Sequence, residues 1–341
     1  MIHVILPVKN GSREYKRRIS DSTQAFADLK LRLHEFDAGG TLRPLSRLSS
    51  SNPSSTDSPM SHKPVFGLAG IVLSLAFTAH TSAQDFRVYT KIFDARASET
   101  AEKSTRSVLL GRSTAIFHAG KAYEYVDSGN QMTVYEPAHE QFTIVDGARR
   151  MLTVIPFEYV EHRLFQVGKN TEKKIEELRE KDTEDAGLLA AVLEFQLAPK
   201  FKETYDEKQR RMKMDGSVLS YDVKCATDSS PEIVAAYLNF TDSMAQLNYL
   251  VNEKALLPWP RLELDKILRQ RELLPIEVTL HSRQPKGLHL RAEHRFDWKL
   301  DATDRSKISH WEKLIHSADV KHVTPGQFFE PAASEKLDAR R

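Results

Sequence analysis

The run from Leu288 to Asp301 constrains the fold of this 341-residue chain more than any other stretch. Leu288, Leu290, Ala292, His294, Phe296, Trp298 and Leu300 alternate with His289, Arg291, Glu293, Arg295, Asp297, Lys299 and Asp301. Side chains of a strand point alternately to its two faces, whereas a helix would scatter the same apolar residues around its circumference. The run therefore predicts a long antiparallel strand with one face on a core and one in water. Upstream, Ile276, Val278 and Leu280 alternate with Glu277, Thr279 and His281, and Pro285, Lys286 and Gly287 supply the turn between the two runs.

More strands precede this hairpin. The sequence predicts them over 85–94, 107–118, 121–126, 131–135, 141–145 and 150–155, then over 201–206, 210–214 and 217–226. Asp127-Ser128-Gly129-Asn130, Glu136-Pro137-Ala138-His139 and Asp146-Gly147 separate the early ones, and their Gly, Asn and Pro supply the dihedrals that tight hairpins need. Such short links force neighbouring strands to run antiparallel, as a meander.

Helical periodicity takes over after Pro156 and lasts to about Gln196, with a charged stretch (172–185) that reads as a solvated face. A second helix starts at Ser230 as cap with Pro231 in the first turn, and Ile233, Tyr237, Phe240, Met244, Leu247 and Val251 form one apolar stripe. A third covers 261–273. In the tail, Ile308, Trp311, Leu314 and Ile315 have helix-like spacing, and 320–323 reads as a last strand.

The N-terminal part has a different character. Residues 65–79 (VFGLAGIVLSLAFTA) form an apolar run with Lys63 before it and Thr81-Ser82-Ala83 after it, the pattern of a secretory signal peptide cleaved near Ala83. Since such leaders begin at the N-terminus, translation is expected to start at Met60, which makes 60–83 the signal peptide and 1–59 an untranslated or disordered extension. A start at Met1, with 65–79 as an uncleaved membrane anchor behind a basic tail, is the alternative. The expected single domain then spans 84–330, and 331–341 is a disordered tail. Residues 1–83 hold ten Lys and Arg against six Asp and Glu, so the remaining chain is about neutral and carries no electrostatic footprint for nucleic acid. The lone Cys225 cannot form an internal disulfide, and its alternation with Leu219, Tyr221 and Val223 makes it a small buried hydrophobe.

No GxSxG elbow, HExxH helix, P-loop, GxGxxG loop or EF-hand loop occurs after residue 83, so no catalytic residue, metal ligand or cofactor is assigned. Glu158 with His162, and the late histidines His289, His294, His310, His316 and His322, come nearest to a metal set. His289 and His294, however, are separated by an odd number of strand positions and face opposite sides.

Leader, early meander (IFHAGKAYEYVDSGNQMTVYEPAHEQFTIVD), helical insertion, returning strands and the closing Thr324-Pro325-Gly326-Gln327-Phe328-Phe329 follow an order that resembles the LolA/LolB type of periplasmic lipoprotein carrier. The resemblance implies an α+β fold: a large curved antiparallel sheet, an incomplete β-barrel, with helices packed across its concave face. It also implies a periplasmic or secreted binding protein, not an enzyme, whose partner is a lipid or an acylated protein. The expected apolar pocket is lined by Phe86, Val88, Ile116, Tyr123, Tyr125, Met132, Val134, Phe142, Tyr237, Phe240, Met244, Leu247, Phe296 and Trp298. A structural or regulatory module that binds another envelope protein is one alternative, and a hydrolase with an unrecognised site is another.

Overall fold

The computed structural model describes residues 85–96, 108–127, 130–227, 229–252, 255–284 and 287–329. The leader over 1–83 with its cleavage position and the tail over 331–341 lie outside the described residues, as do Ser128, Gly129, Asp228, Pro285 and Lys286 of the expected turns. Among the described residues, no helix is long and apolar enough to cross a membrane.

Among the described residues, twelve strands make one open sheet in an α+β fold. They are β1 (Phe86–Asp94), β2 (Val108–His118), β3 (Lys121–Val126), β4 (Gln131–Glu136), β5 (Gln141–Asp146), β6 (Met151–Pro156), β7 (Lys202–Asp206), β8 (Arg211–Asp215), β9 (Leu219–Cys225), β10 (Pro275–Ser282), β11 (His289–Asp297) and β12 (Lys321–His322). Their spatial order is β12-β6-β5-β4-β3-β2-β1-β11-β10-β9-β8-β7. Every pair is antiparallel except β12 with β6. The meander expected from the turn residues is the run β2 to β6. Its first hairpin turns on Ala119 and Gly120, both at positive φ (50° and 77°), the twist that two-residue hairpin loops require.

Helices fill the gaps between strand groups. α1 (Phe157–Arg179) and α2 (Glu184–Leu197) follow β6, α3 (Pro231–Val251) and α4 (Trp259–Gln270) lie between β9 and β10, α5 (Ala302–Ile315) follows β11, and α6 (Pro325–Phe329) ends the described chain. Ser230 caps α3 by accepting from the Ile233 amide, with Pro231 in the first turn, as its sequence predicts. Ile233, Tyr237, Phe240, Met244 and Leu247 of the expected stripe are buried and Val251 at its end is half-buried, each fully buried large side chain contributing about 1.5–3 kcal/mol over its exposed state.

Cross-strand pairs share a face, so the register sorts the two sides of the sheet. On one side, Phe86, Phe117, Ala122, Tyr135, Phe142 and Ile155 form a row across β1 to β6. Val278, Val223 and Met212 continue this side across β10, β9 and β8. It packs against Val160 and Leu164 of α1, Val192 and Phe195 of α2, and the buried faces of α3 and α4 in one continuous core. We call it the helix face.

The other side departs from the sequence expectation of a sheet with one dry face. Over the meander, Ile116, Tyr123, Met132, Val134, Val145 and Leu152 form a second core with Leu300, Ile308 and Val320, and Trp311, Leu314 and Ile315 of α5 pack on it. The helices therefore do not all lie on one face. Arg87 fixes this docking, its guanidinium bonding Asp297 at the end of β11 and both carboxylate oxygens of Asp304 in the first turn of α5. Asp301 caps α5 in a reciprocal capping box with Asp304. Over β7 to β11 the same side carries Arg211, Asp222, Thr279, Arg291 and Arg295 and faces water.

The alternating run that opened the sequence reading ends earlier than its pattern. β11 stops at Asp297, Trp298 lies beyond it at 44 % exposure, and Leu300 has crossed to the second core. The salt-bridged Arg87 and the cap at Asp301 turn the chain off the sheet there, overriding the periodicity.

Candidate functional site

The helix face of β1, β2 and β11 carries a band of aromatic side chains. Phe86 stacks on Phe117 with ring centroids 4.1 Å apart, and Phe117 meets Phe240 of α3 edge-on at 5.2 Å. Tyr237, one turn earlier on α3, sits edge-on to Phe296 at 5.1 Å. Phe296 stacks on Trp298 at 5.5 Å, and Trp298 also stands 6.2 Å from Phe86. An apolar column thus runs from the buried Phe240 and Phe117, through Phe86 and the half-buried Phe296, to the exposed Trp298.

Polar groups interrupt this face in two adjacent rows. Register places His294, Thr90, Ser113 and Val126 side by side on β11, β1, β2 and β3, with Thr90 Oγ1 3.0 Å from His294 Nδ1. In the next row, Phe296, Val88, Ala115, Glu124, Thr133 and Ile144 are neighbours. Ser113 hydrogen-bonds Glu124 from the first row to the second, and Glu124 Oε2 meets no hydrogen-bond partner among the described residues. Burial pushes the Glu124 carboxyl up to about 7. Burial also raises the Tyr237 phenol, and the nearby Asp265 and Glu124 charges add to the effect.

A second polar group clamps α3 to α4. Asp265, fully buried, accepts from Arg261 Nε at 3.0 Å and from Thr241 Oγ1 at 2.8 Å, while Arg269 donates to Asp242 at 2.6 Å. Burial and the neighbouring Asp265 charge raise the Asp242 carboxyl. This network joins two helices. A separate cleft of about 410 Å³ lies beyond the ends of β8 and β9, lined by Arg210, Thr227, Ser229, Ser230 and Glu272 among others. Arg210 there is spent on the carbonyls of Ala226 and Thr227.

The residues expected to line one pocket divide between the two sides of the sheet. Phe86, Val88, Phe142, Tyr237, Phe240, Met244 and Leu247 lie in the helix-face core, with Phe296 packed against it and Trp298 at its rim. Ile116, Tyr123, Tyr125, Met132 and Val134 are on the opposite side under α5, where Tyr123 donates to Glu312, and Trp311 stands 4.9 Å from Tyr125. They cannot share a cavity with the first set. The split follows from the register: Tyr123 pairs with Ile116 and Val134, whereas Glu124 falls on the side of Phe86.

The sequence reading passed over Glu124, Thr90 and Ser113, and placed His294 on the apolar face and among the late histidines without singling it out. The sign was present in KAYEYV: if both tyrosines face one way, the glutamate faces the other. Cys225 is buried on the helix face and its thiol is pushed up to about 12 by that burial, so it is a packing group. His289 and His294 face opposite sides as expected, and among the described residues no group of three or more His, Cys, Asp or Glu side chains could hold a metal ion.

No protein-family model and no curated protein matches the chain.

Proposed function

We propose that this chain is an exported cell-envelope binding protein that holds an apolar ligand, a lipid or the acyl chain of a lipoprotein, between the sheet and α3. On this reading the open sheet is an incomplete barrel of the LolA/LolB type and α3 is its lid, with Met244 and the aromatic stripe able to repack around varied chains. The leader over 60–83 delivers it, and the mature chain begins near Gln84.

One observation carries the reading. The aromatic column does not close within the protein but reaches the surface at Trp298, 44 % exposed and stacked on Phe296. A ligand path needs an apolar threshold at the surface, and Trp298 supplies one that is continuous with the column.

Two measurements test it. Mass spectrometry of an organic extract of the purified protein should find a co-purified amphiphile. Titration with an uncharged fluorescent acyl-chain probe should saturate, and Trp298→Ala should weaken binding several-fold while the melting temperature stays near that of the parent. A folded protein that binds no probe of any chain length overturns the proposal.

A further inference from the structure

A carboxyl group is placed on the helix face where an apolar side chain would serve packing better. Glu124 is 3 % exposed, and among the described residues its Oε2 has no hydrogen-bond partner and its side chain bonds Ser113. An unpartnered carboxylate in such a setting costs several kcal/mol, so a purely structural role would favour its replacement.

The neighbours of Glu124 on this face are unusually small. Ala115 is its partner on β2, Thr133 its partner on β4, Ala122 precedes it by two positions on β3, and Ser113 lies diagonally. Large side chains stand one row away, in Phe117, Tyr135 and Phe86. Ser113 and Thr133 are only half-buried, so the ring of small residues reaches towards the surface. The arrangement is an acidic spot bordered by small side chains at the flank of an aromatic column.

The second charged group near the interior, Arg261, is already paired with Asp265 at 2.9 Å. Among the described residues, no Lys or Arg side chain pairs with Glu124. A ligand carrying an anion would bring like charge next to it, whereas one carrying a protonated nitrogen would supply the missing donor and cation together.

We infer that Glu124, positioned by Ser113 and framed by Ala115, Ala122 and Thr133, is a subsite for the cationic amine head of an amphiphile whose chain lies along the aromatic column. This rests on the binding reading above and narrows its ligand class. The chain would pass Phe117, Phe86 and Phe296, and the amine would donate to the free Oε2.

The test is calorimetric titration of the full chain with n-decylamine, n-decanol and decanoate at neutral pH, each below its micellar concentration. Decylamine is expected to bind about tenfold or more tighter than decanoate, the size of effect that one charge-assisted hydrogen bond supplies. Glu124→Gln keeps the shape and removes the charge, and should abolish that preference while leaving decanol binding within about twofold. Ser113→Ala, which only frees the carboxyl, should reduce the preference in part and guards against a Glu124 variant that fails to fold. Equal or tighter binding of decanoate to the parent protein overturns the amine subsite and leaves the binding function standing, as does a preference that survives Glu124→Gln. If none of the three probes binds the folded protein, the binding function and the subsite fall together.

Discussion

The two halves of the sheet are assembled from similar hairpins but sit in different surroundings. β2 to β6 are dry on both sides, with the main core on one and α5 on the other, whereas β7 to β11 are dry only on the helix face. The sequences record this unequally. β8 and β11 read RMKMD and HLRAEHRFD, strict alternations, because every second side chain meets water. β3 to β5 read KAYEYV, QMTVYE and QFTIVD, where apolar residues occupy both parities. Clean alternation therefore marks a wet face, and its loss marks a second cover.

The comparison can be broken most sharply with ion pairs. Arg261 and Asp265 are buried on the dry side, while Arg211 and Asp222 make a similar contact on the wet side of β8 and β9. Asp265→Ala should cost about 3–5 kcal/mol because it strands a buried guanidinium. Asp222→Ala should stay within about 1 kcal/mol. Equal midpoints in urea would mean that the two environments do not differ as described.

The next test addresses the cover on the meander. Val134→Asp puts a charge between β4 and α5 and should destabilise by about 3 kcal/mol or more, whereas Lys213→Asp on the open half should remain within about half a kcal/mol. Tolerance of Val134→Asp would show that α5 does not seat there.

A pH series sharpens the contrast for Glu124. Its carboxyl titrates near 4.5 when unfolded and at about 7 when folded, so the folded state holds the proton more tightly. Stability from this group is complete below about 4.5, declines as pH rises towards 7 and stays lost above it. Glu124→Gln should therefore gain on the parent across that window, by an amount of the order of 3 kcal/mol. Melting curves of the two proteins at acid and alkaline pH would report it, and a constant gap between them would count against a buried, unpaired carboxyl.

The smallest effect belongs to Trp298. Alternation alone makes Trp298→Asp as harmful as any core charge, but a tryptophan at 44 % exposure beyond the strand end should lose about 1 kcal/mol or less. A loss comparable to that of Val134→Asp would put Trp298 back in the core.

Local chemistry made most elements readable. Turn residues delimited β2 to β6, and Ser230 with Pro231 set the start of α3. What could not be read is where separate elements meet. The stripe Ile308, Trp311, Leu314 and Ile315 announced that α5 is amphipathic, yet only the Arg87 contacts to Asp297 and Asp304, more than two hundred positions apart, decide which side of the sheet it covers. The same gap hid Glu124. In a strand with apolar residues on both parities, periodicity cannot say which face is inward until the register with Phe86 and Phe117 is known.

The pairing of β1 with β11 carries a consequence for how the chain acquires its shape. β1 is the first described strand and lies in the middle of the sheet, yet its partner begins only at His289. The meander can form from contacts close in sequence, and β7 to β9 can do likewise, but the seam between the halves needs the last quarter of the chain. Until that strand is synthesised, one side of β1 is an open row of amides and carbonyls next to Val88, Ile92 and Phe93, a template for mispairing. The centre of the sheet therefore closes only after both hairpin groups have been made, and a nascent chain that stops short of residue 289 retains both groups with nothing to join them.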